Sequence, residues 1–414
     1  MASENMLIQL PELPMKVILE KLDFISIQCL RKTCHDLRNI IEDLKPGPSE
    51  LQFVIQLEKD SVDFLLGWPV PSQEKWKKNR EGHQVLASED TLHLIHRKIG
   101  GKTSNFWSEN SCEVTYEAPN PQNPVKTKIL KNRKFLDVFT ADLKCMLEQQ
   151  KATVIFKNFI LIVGKDCEKK TKKLYENLKN IFEAKSPEFK IRDLRIHTFG
   201  GQEVMTILPY VNAEQLEHLK IENAKDVNEV EPLENFEEIV NLKQWKKLTD
   251  VLTHGFSIPL RIQDYFHFTS FGIHVPNIST RDIIAMKNNM LAGSNLQSGC
   301  FYFKFMEDDW QLLNQEFGRN RMQPDIEFPK SAVWEVPIPG ENSAILIMFN
   351  DGFVSFQRLA VVVSSNLDNI DLENNRGGGD FFGRGGVPMF GAGNAEIAGI
   401  PGAENDEMDD DDDL

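Results

Sequence analysis

Between Phe135 and Leu291 the sequence keeps switching between two apolar periods, and that alternation constrains the fold more than any other feature of the chain. Leu136, Phe139, Leu143, Met146 and Leu147 share a helical face within Phe135–Gln149. The next segment, Thr153–Val163, is a short apolar run suited to a buried strand. Leu174, Leu178, Ile181 and Phe182 then mark a second amphipathic helix, and a strand follows over Lys190–His197. The same reading predicts a helix over Val204–Tyr210, a strand over Leu216–Ile221, and a helix over Leu242–Leu252. A strand over Thr269–His274 and a helix over Asp282–Leu291 complete the series. Alternating units of this kind pair their strands in parallel and lay their helices over the sheet.

Leu194-x-Ile196 and Leu219-x-Ile221 lie 25 residues apart, each after a helical segment. That period falls in the range of leucine-rich repeats, although the units are degenerate and lack an asparagine ladder. The expectation is an irregular, curved α/β array, with the strand face or terminal loops free to hold a partner. Phe301–Phe305, Ala344–Phe349 and Phe353–Val363 are strand-like and close the array. Upstream, Leu51–Leu57 alternates as a strand does, and short strands fit Thr91–Ile95 and Glu113–Tyr116. Trp68–Lys102 is otherwise polar and mixed, and Pro119, Pro121 and Pro124 predict a loop.

The first 45 residues form a separate block, ended by Lys45-Pro46-Gly47-Pro48. Leu13, Val17, Ile18, Leu22, Ile27, Leu30, Cys34, Leu37 and Ile41 recur at helical spacing, enough for about three short helices. So short a block buries little core alone, so its surplus apolar face docks on a partner or on the rest of the chain. The order of its anchors resembles an F-box: Leu10-Pro11 as the opening, Ile18 and Leu22 next, then Leu30-Arg31 and Cys34-x-x-Leu37-Arg38. Pro14 is not part of that pattern, and the first helical turn tolerates it. More narrowly, the chain resembles the nematode F-box proteins that carry a long FTH-type homology region, here from about Leu51 to residue 365.

Together these readings give an α/β protein: a short three-helix F-box, then an irregular leucine-rich-repeat-like array, then a disordered tail rich in Gly and Asp, which departs from what the resemblance leads one to expect. The expected divisions are residues 1–45, a strand-containing connecting region 51–130, an FTH-type body 131–366, and the tail 367–414. The resemblance implies a substrate-recognition subunit of a Skp/cullin/F-box ubiquitin ligase. The Skp-type adaptor would bind through Leu10, Pro11, Ile18, Leu22, Leu30 and Leu37, and an unidentified protein target through the body. Cys34 fits a small core residue better than a contact. The alternative is an F-box-bearing scaffold that tethers a partner, such as an RNA-binding protein, without promoting its degradation.

Catalytic signatures are absent: the sequence holds no G-x-x-x-x-G-K-[ST], G-x-S-x-G or H-E-x-x-H, and no enzymatic activity or cofactor is expected. His93 and His96 have no third ligand nearby, and their spacing splits them across a strand, so no metal site is expected. The six cysteines lack a C-x-x-C pair and suit free thiols in a reducing compartment. With no apolar run of 18 residues and no leader in MASENMLIQL, the expected location is cytoplasmic or nuclear, away from membranes. Eight acids crowd Glu404–Asp413, and without them the net charge of −15 falls to about −7. That balance argues against general nucleic-acid binding. Lys75, Lys77, Lys78 and Arg80 beside Trp76 are too sparse to reverse it, and Lys169, Lys170, Lys172 and Lys173 read as a solvated helix face. The stretch Gly377–Gly402 contains ten glycines and, with the Arg-Gly-Gly triplets that begin at Arg376 and Arg384, reads as a flexible, solubilising tail.

Overall fold

The computed structural model describes residues 9–20, 22, 27, 30–31, 33–44, 50–67, 76–78, 84–86, 92–99, 111–117, 125–148, 154–184, 189–225, 230–259, 261–307, 309–318, 320–321, 331–350 and 352–360. The tail expected from residue 367 onward lies outside the described residues.

Strand–helix alternation builds the centre of the molecule. Strand β8 (Ile155–Val163) leads through α4 (Glu168–Ala184) to β9 (Ile191–Thr198), then through α5 (Gly201–Met205) to β10 (His218–Asn223). Two short helices, α6 (Phe236–Asn241) and α7 (Lys243–Lys247), precede β12 (Asp250–Ser257). Next come β13 (Ser270–Ser279), α8 (Thr280–Leu291), β14 (Ser298–Glu307) and α9 (Trp310–Phe317). The strands β8, β9, β10, β12, β13 and β14 lie side by side in chain order, every neighbour parallel. The 25-residue period is the lateral register itself: Leu194 sits opposite Leu219 and Ile196 opposite Ile221. All four side chains are buried on the helix-covered face.

The sheet does not stop at the parallel array. β1 (Glu50–Leu57) pairs in parallel with β8 and antiparallel with β2 (Ser61–Gly67). From β2 the sheet runs antiparallel through β5 (Leu92–Ile99), β6 (Ser111–Glu117) and β7 (Lys126–Leu130). At the other end β14 pairs antiparallel with β17 (Phe353–Ala360), followed by β16 (Ser343–Asn350) and β15 (Ser331–Pro337). A two-residue strand β11 (Glu231–Pro232) adds to β12, giving fifteen strands in one sheet among the described residues. A separate hairpin joins β3 (Trp76–Lys78) to β4 (Gln84–Leu86). The boundary expected near residue 131 is therefore crossed by the β1–β8 pairing.

Three local expectations need correction. Leu51–Leu57 does not alternate in burial, because β1 is central and covered on both faces. The helix expected over Leu242–Leu252 ends at Lys247, and Asp250, Val251 and Leu252 open β12. Leu242, Trp245, Leu248 and Val251 fall three residues apart, a spacing that mimics a helix while the backbone turns extended at Leu248. Val204–Tyr210 divides into α5 and a 3-10 turn over Leu208–Tyr210, with Pro209 refusing a continuous helix. The loop expected at Pro119, Pro121 and Pro124 lies outside the described residues, and strand β7 begins just after it.

Helix α3 (Phe135–Glu148) and α4 bury the predicted stripes against the sheet, among them Leu136, Phe139 and Leu143, and Leu174, Leu178 and Phe182. Aromatic contacts run through this part of the core: Phe53 stacks on Phe159 at 5.0 Å between centroids, and Phe182 lies 4.2 Å from Phe189. Such pairs add about 0.5–1.5 kcal/mol each beyond their buried area. Helix α8 starts on a capping box, Ser279 accepting from the Asp282 amide and Asp282 from the Ser279 amide. A cap of this type is worth about 1 kcal/mol. No helix among the described residues is long and apolar enough to cross a membrane.

Candidate functional site

The amino-terminal block forms a small core of its own. Helix α1 (Glu12–Glu20) contributes Met15 and Leu19, one turn apart, and α2 (His35–Leu44) contributes Leu37 and Ile41. Ile27 completes the buried set, and Leu10, Leu22, Leu30, Cys34, Ile40 and Leu44 pack around it half-covered. Pro14 falls in the first turn of α1, whose first internal bond runs from the Met15 amide to the Pro11 carbonyl at 3.1 Å, so its missing donor costs nothing. At the start of α2 the Leu37 amide donates to Cys34 Sγ at 3.5 Å, making the thiol a weak cap. Thr33 Oγ1 donates to the Leu30 carbonyl at 2.6 Å, and Arg31 Nη2 reaches Glu42 Oε1 at 2.6 Å. That hydrogen bond, joined by the charges of Arg31, Arg38 and His35, holds the Glu42 carboxyl below the usual range.

The expected contact residues divide by position. Pro11 and Ile18 are exposed, Leu10, Leu22 and Leu30 are half-buried at the rim of the small core, and Leu37 is inside it. The structure adds Leu13 and Val17, so that Leu13, Val17 and Ile18 stand 73%, 48% and 39% exposed along one helix of nine residues. Large apolar side chains are exposed at two other positions among the described residues, Val125 and Ile129. The result is a helix with a fixed inner face and an uncovered apolar outer face.

The sheet presents a second surface on the face away from α3, α4 and α8. Alternate residues of the parallel strands come into lateral rows there. Asp193, His218 and Asp250 form one row, and His197, Glu222 and His254 another. His218 Nδ1 lies 2.7 Å from Asp250 Oδ2, which pulls the His218 pKa up. Glu222 takes His197 Nε2 at 2.8 Å and Lys220 Nζ at 2.8 Å. Burial alone would raise Glu222, yet the hydrogen bond and charge of His197, aided by Lys220, bring its carboxyl down to about 2. Arg195 is paired with Asp193 at 3.2 Å. Farther along, His274 stacks on Tyr302 at 4.8 Å, and burial with nearby His254 pushes His274 down to about 4. Cys300, two residues before Tyr302 on β14 and opposite Gly272, is buried, and burial pushes its thiol up to about 12, which removes it as a nucleophile at neutral pH.

The other sequence candidates resolve into structural roles. His96 is buried against Phe139 with Nε2 2.8 Å from Asp142, whereas His93 faces the other way, 3.8 Å from Asp63. Among the described residues no group of three or more His, Cys, Asp or Glu is placed to hold a metal ion. On α4, Lys170 pairs with Asp60, Lys172 with Glu168, and Lys173 with Asp137. Lys75 and Arg80 lie outside the described residues.

Residues 7–48 match the F-box domain, and residues 172–318 match the FTH domain. The FTH match opens inside α4 and closes just after α9, so it spans the parallel array from β9 to β14. "F-box A protein 224" of Caenorhabditis elegans is 21% identical over 223 residues, 52% of this chain and 54% of that protein. The chain thus spans about half the length of this curated relative. No solved structure matches. With the small helical core at its amino end and the parallel array following it, the chain carries an F-box domain and an FTH domain and is similar to a nematode F-box A protein.

Proposed function

We propose that this chain is a substrate-recognition subunit of a Skp/cullin/F-box ubiquitin ligase. The observation that carries the reading is the apolar stripe of α1, uncovered while Met15 and Leu19 on the opposite side are fully buried. The docking face for a Skp-type adaptor comprises Leu10, Pro11, Leu13, Val17 and Ile18, with Leu22 and Leu30 at its margin. Leu37 acts from beneath, holding α1 at its angle through the shared core. Helical backbone at Ile27, Leu30 and Arg31 supports a middle helix, giving the three-helix box. The body, read as a leucine-rich-repeat-like array because its parallel strands follow one another in chain order, holds a protein target. The protein then acts by raising the effective concentration of the target's lysines near the ubiquitin carrier, and performs no chemistry itself.

The test is direct binding of the full chain to purified Skp-type adaptor, with Leu13→Ala, Val17→Ala and Ile18→Ala combined. Fully burying one such side chain is worth about 1.5–3 kcal/mol, and all three are already partly covered. Scaled to their exposed fractions and reduced by the methyl that each alanine keeps, the triple variant loses about 2 kcal/mol, roughly 30-fold in affinity. Its melting transition stays where it was, since none of the three supports the core. A parent chain that ignores the adaptor, or a triple variant that binds it equally well, defeats the proposal.

A further inference from the structure

The two ends of the fifteen-stranded sheet are finished differently. On the outer edge of β15 the Val333 carbonyl accepts from the Arg321 amide at 3.0 Å, and the Val333 amide donates to Asn320 Oδ1 at 3.1 Å. The strand then ends in Pro337, which cannot extend a ladder. The other edge is β7, paired on one side with β6. Among the described residues, no backbone hydrogen bond reaches its outer side. An open edge of this kind is a template for another strand.

Its side chains say which strand. Val125, Thr127 and Ile129 point to one face, Lys126 and Lys128 to the other, and all five are exposed. Val125 and Ile129 are the large apolar side chains left exposed outside α1. Neither Lys126 nor Lys128 has an ion pair among the described residues, whereas lysines 170, 172 and 173 on α4 all do.

We propose that β7 is a strand-addition site for an extended segment of another protein, with acids at alternate positions and apolar residues between them. The main chain of that segment completes the β7 ladder. Its acids lie beside Lys126 and Lys128 on one face, and its apolar side chains beside Val125 and Ile129 on the other, at cross-strand distance. A second copy of β7 fits poorly: pairing centred on Thr127 sets Lys126 opposite Lys128, and a one-residue shift sets lysine against valine or isoleucine. The lysines thus block self-addition and favour an acidic strand. The site lies outside both the F-box and the FTH matches and stands independently of adaptor docking.

The experiment uses the full chain and a fluorescent seven-residue peptide alternating glutamate and valine, followed by anisotropy. Saturable binding is expected, weakened about tenfold by Lys126→Glu with Lys128→Glu, and recovered by that variant with a lysine–valine peptide. Methylating alternate peptide amides on the edge that would meet β7 abolishes binding. The melting transition of the charge-reversed chain confirms that it folds. No binding at millimolar peptide, or binding indifferent to charge reversal and to amide methylation, overturns the proposal. A concentration-dependent dimer of the free chain that charge reversal abolishes would assign the edge to a second copy and likewise overturn it.

Discussion

Among the described residues of the FTH match, Lys287 is the buried lysine, and its environment sets up a prediction in which two mutations of one ion pair have unequal effects. Its side chain is 6% exposed on α8, with Nζ 2.9 Å from Glu316 Oε2 on α9, 3.3 Å from the Glu316 carbonyl, and 5.1 Å over the Phe317 ring. Glu316 is 38% exposed. Removing the carboxylate by Glu316→Ala strands an ammonium in the interior, which in a fully buried pair costs about 3–5 kcal/mol. Here the carbonyl and the ring remain and water screens the outer partner, so about 2 kcal/mol is expected. Lys287→Met removes the charge instead, fills the same volume and leaves Glu316 free to hydrate. Its change stays within about 1 kcal/mol of zero. The double variant then resembles Lys287→Met, and the cycle returns a coupling of about 2 kcal/mol. Urea unfolding with tryptophan emission is a suitable assay, because Trp310 and Trp334 stack at 6.1 Å and Phe317 lies 5.3 Å from Trp334. A Lys287→Met variant as destabilised as Glu316→Ala would refute the reasoning, because the charge itself would then be stabilising.

Two further perturbations test the sheet. His274 has its pKa depressed to about 4 by burial, so the unfolded chain takes up a proton first as the pH falls. Its contribution is complete above the ordinary histidine value of about 6.5 and is lost progressively down to about 4. After allowance for its partial exposure, His274→Gln should gain about 2 kcal/mol on the parent between pH 7.5 and 4.5, read from urea midpoints; an equal difference at both pH values would show that His274 does not titrate in this way. Gly201, the first residue of α5, leaves no room for a side chain: a Cβ there would stand 1.7 Å from the Glu234 carbonyl oxygen. Gly201→Ala should cost about 3 kcal/mol by thermal melting, against about 1 kcal/mol for Gly293→Ala, where φ is +86° but nothing lies within 4 Å. Equal costs would mean that α5 shifts freely.

The parallel array was legible because each of its units is local. Leu174, Leu178, Ile181 and Phe182 mark α4 with one face, and Leu194-x-Ile196 and Leu219-x-Ile221 mark their strands. In the antiparallel flanks β5, β6, β16 and β17 were legible as strands, whereas β2 and β7 were not, for two different reasons. β2 reads Val62-Asp63-Phe64-Leu65-Leu66 and is buried on both faces, so it shows no alternation to detect. β7 does alternate, Val125-Lys126-Thr127-Lys128-Ile129, but three prolines just upstream spoke for a loop. The pairing of β1 with β8 joins segments about a hundred residues apart, a relation that no local pattern encodes. At the amino end the difficulty is directional. Met15 and Leu19 have the same spacing as Leu13 and Val17, so α1 is apolar nearly all round. The spacing says that a helix forms; the packing of Leu37, Ile41 and Ile27 decides which side of it is left over.

That distinction bears on where the body can recognise a target. The charges on the open sheet face are spent on one another: Arg195 on Asp193, His218 on Asp250, and both His197 and Lys220 on Glu222. A partner that contacts Glu222 through a cation of its own must displace two donors at 2.8 Å, the same two that hold its carboxyl well below the usual range. Breaking such a pair to form an equivalent one yields little net affinity. On the proposed reading, recognition on that face would draw on the rings of His254, His274 and Tyr302, which lie in a row across β12, β13 and β14. Charge selectivity has to come from groups not already committed, and Lys126 and Lys128 on the open edge satisfy that condition. A target that met both surfaces would be selected by ring packing on the face and by charge on the edge, with neither contact disturbing the ion pairs between the parallel strands.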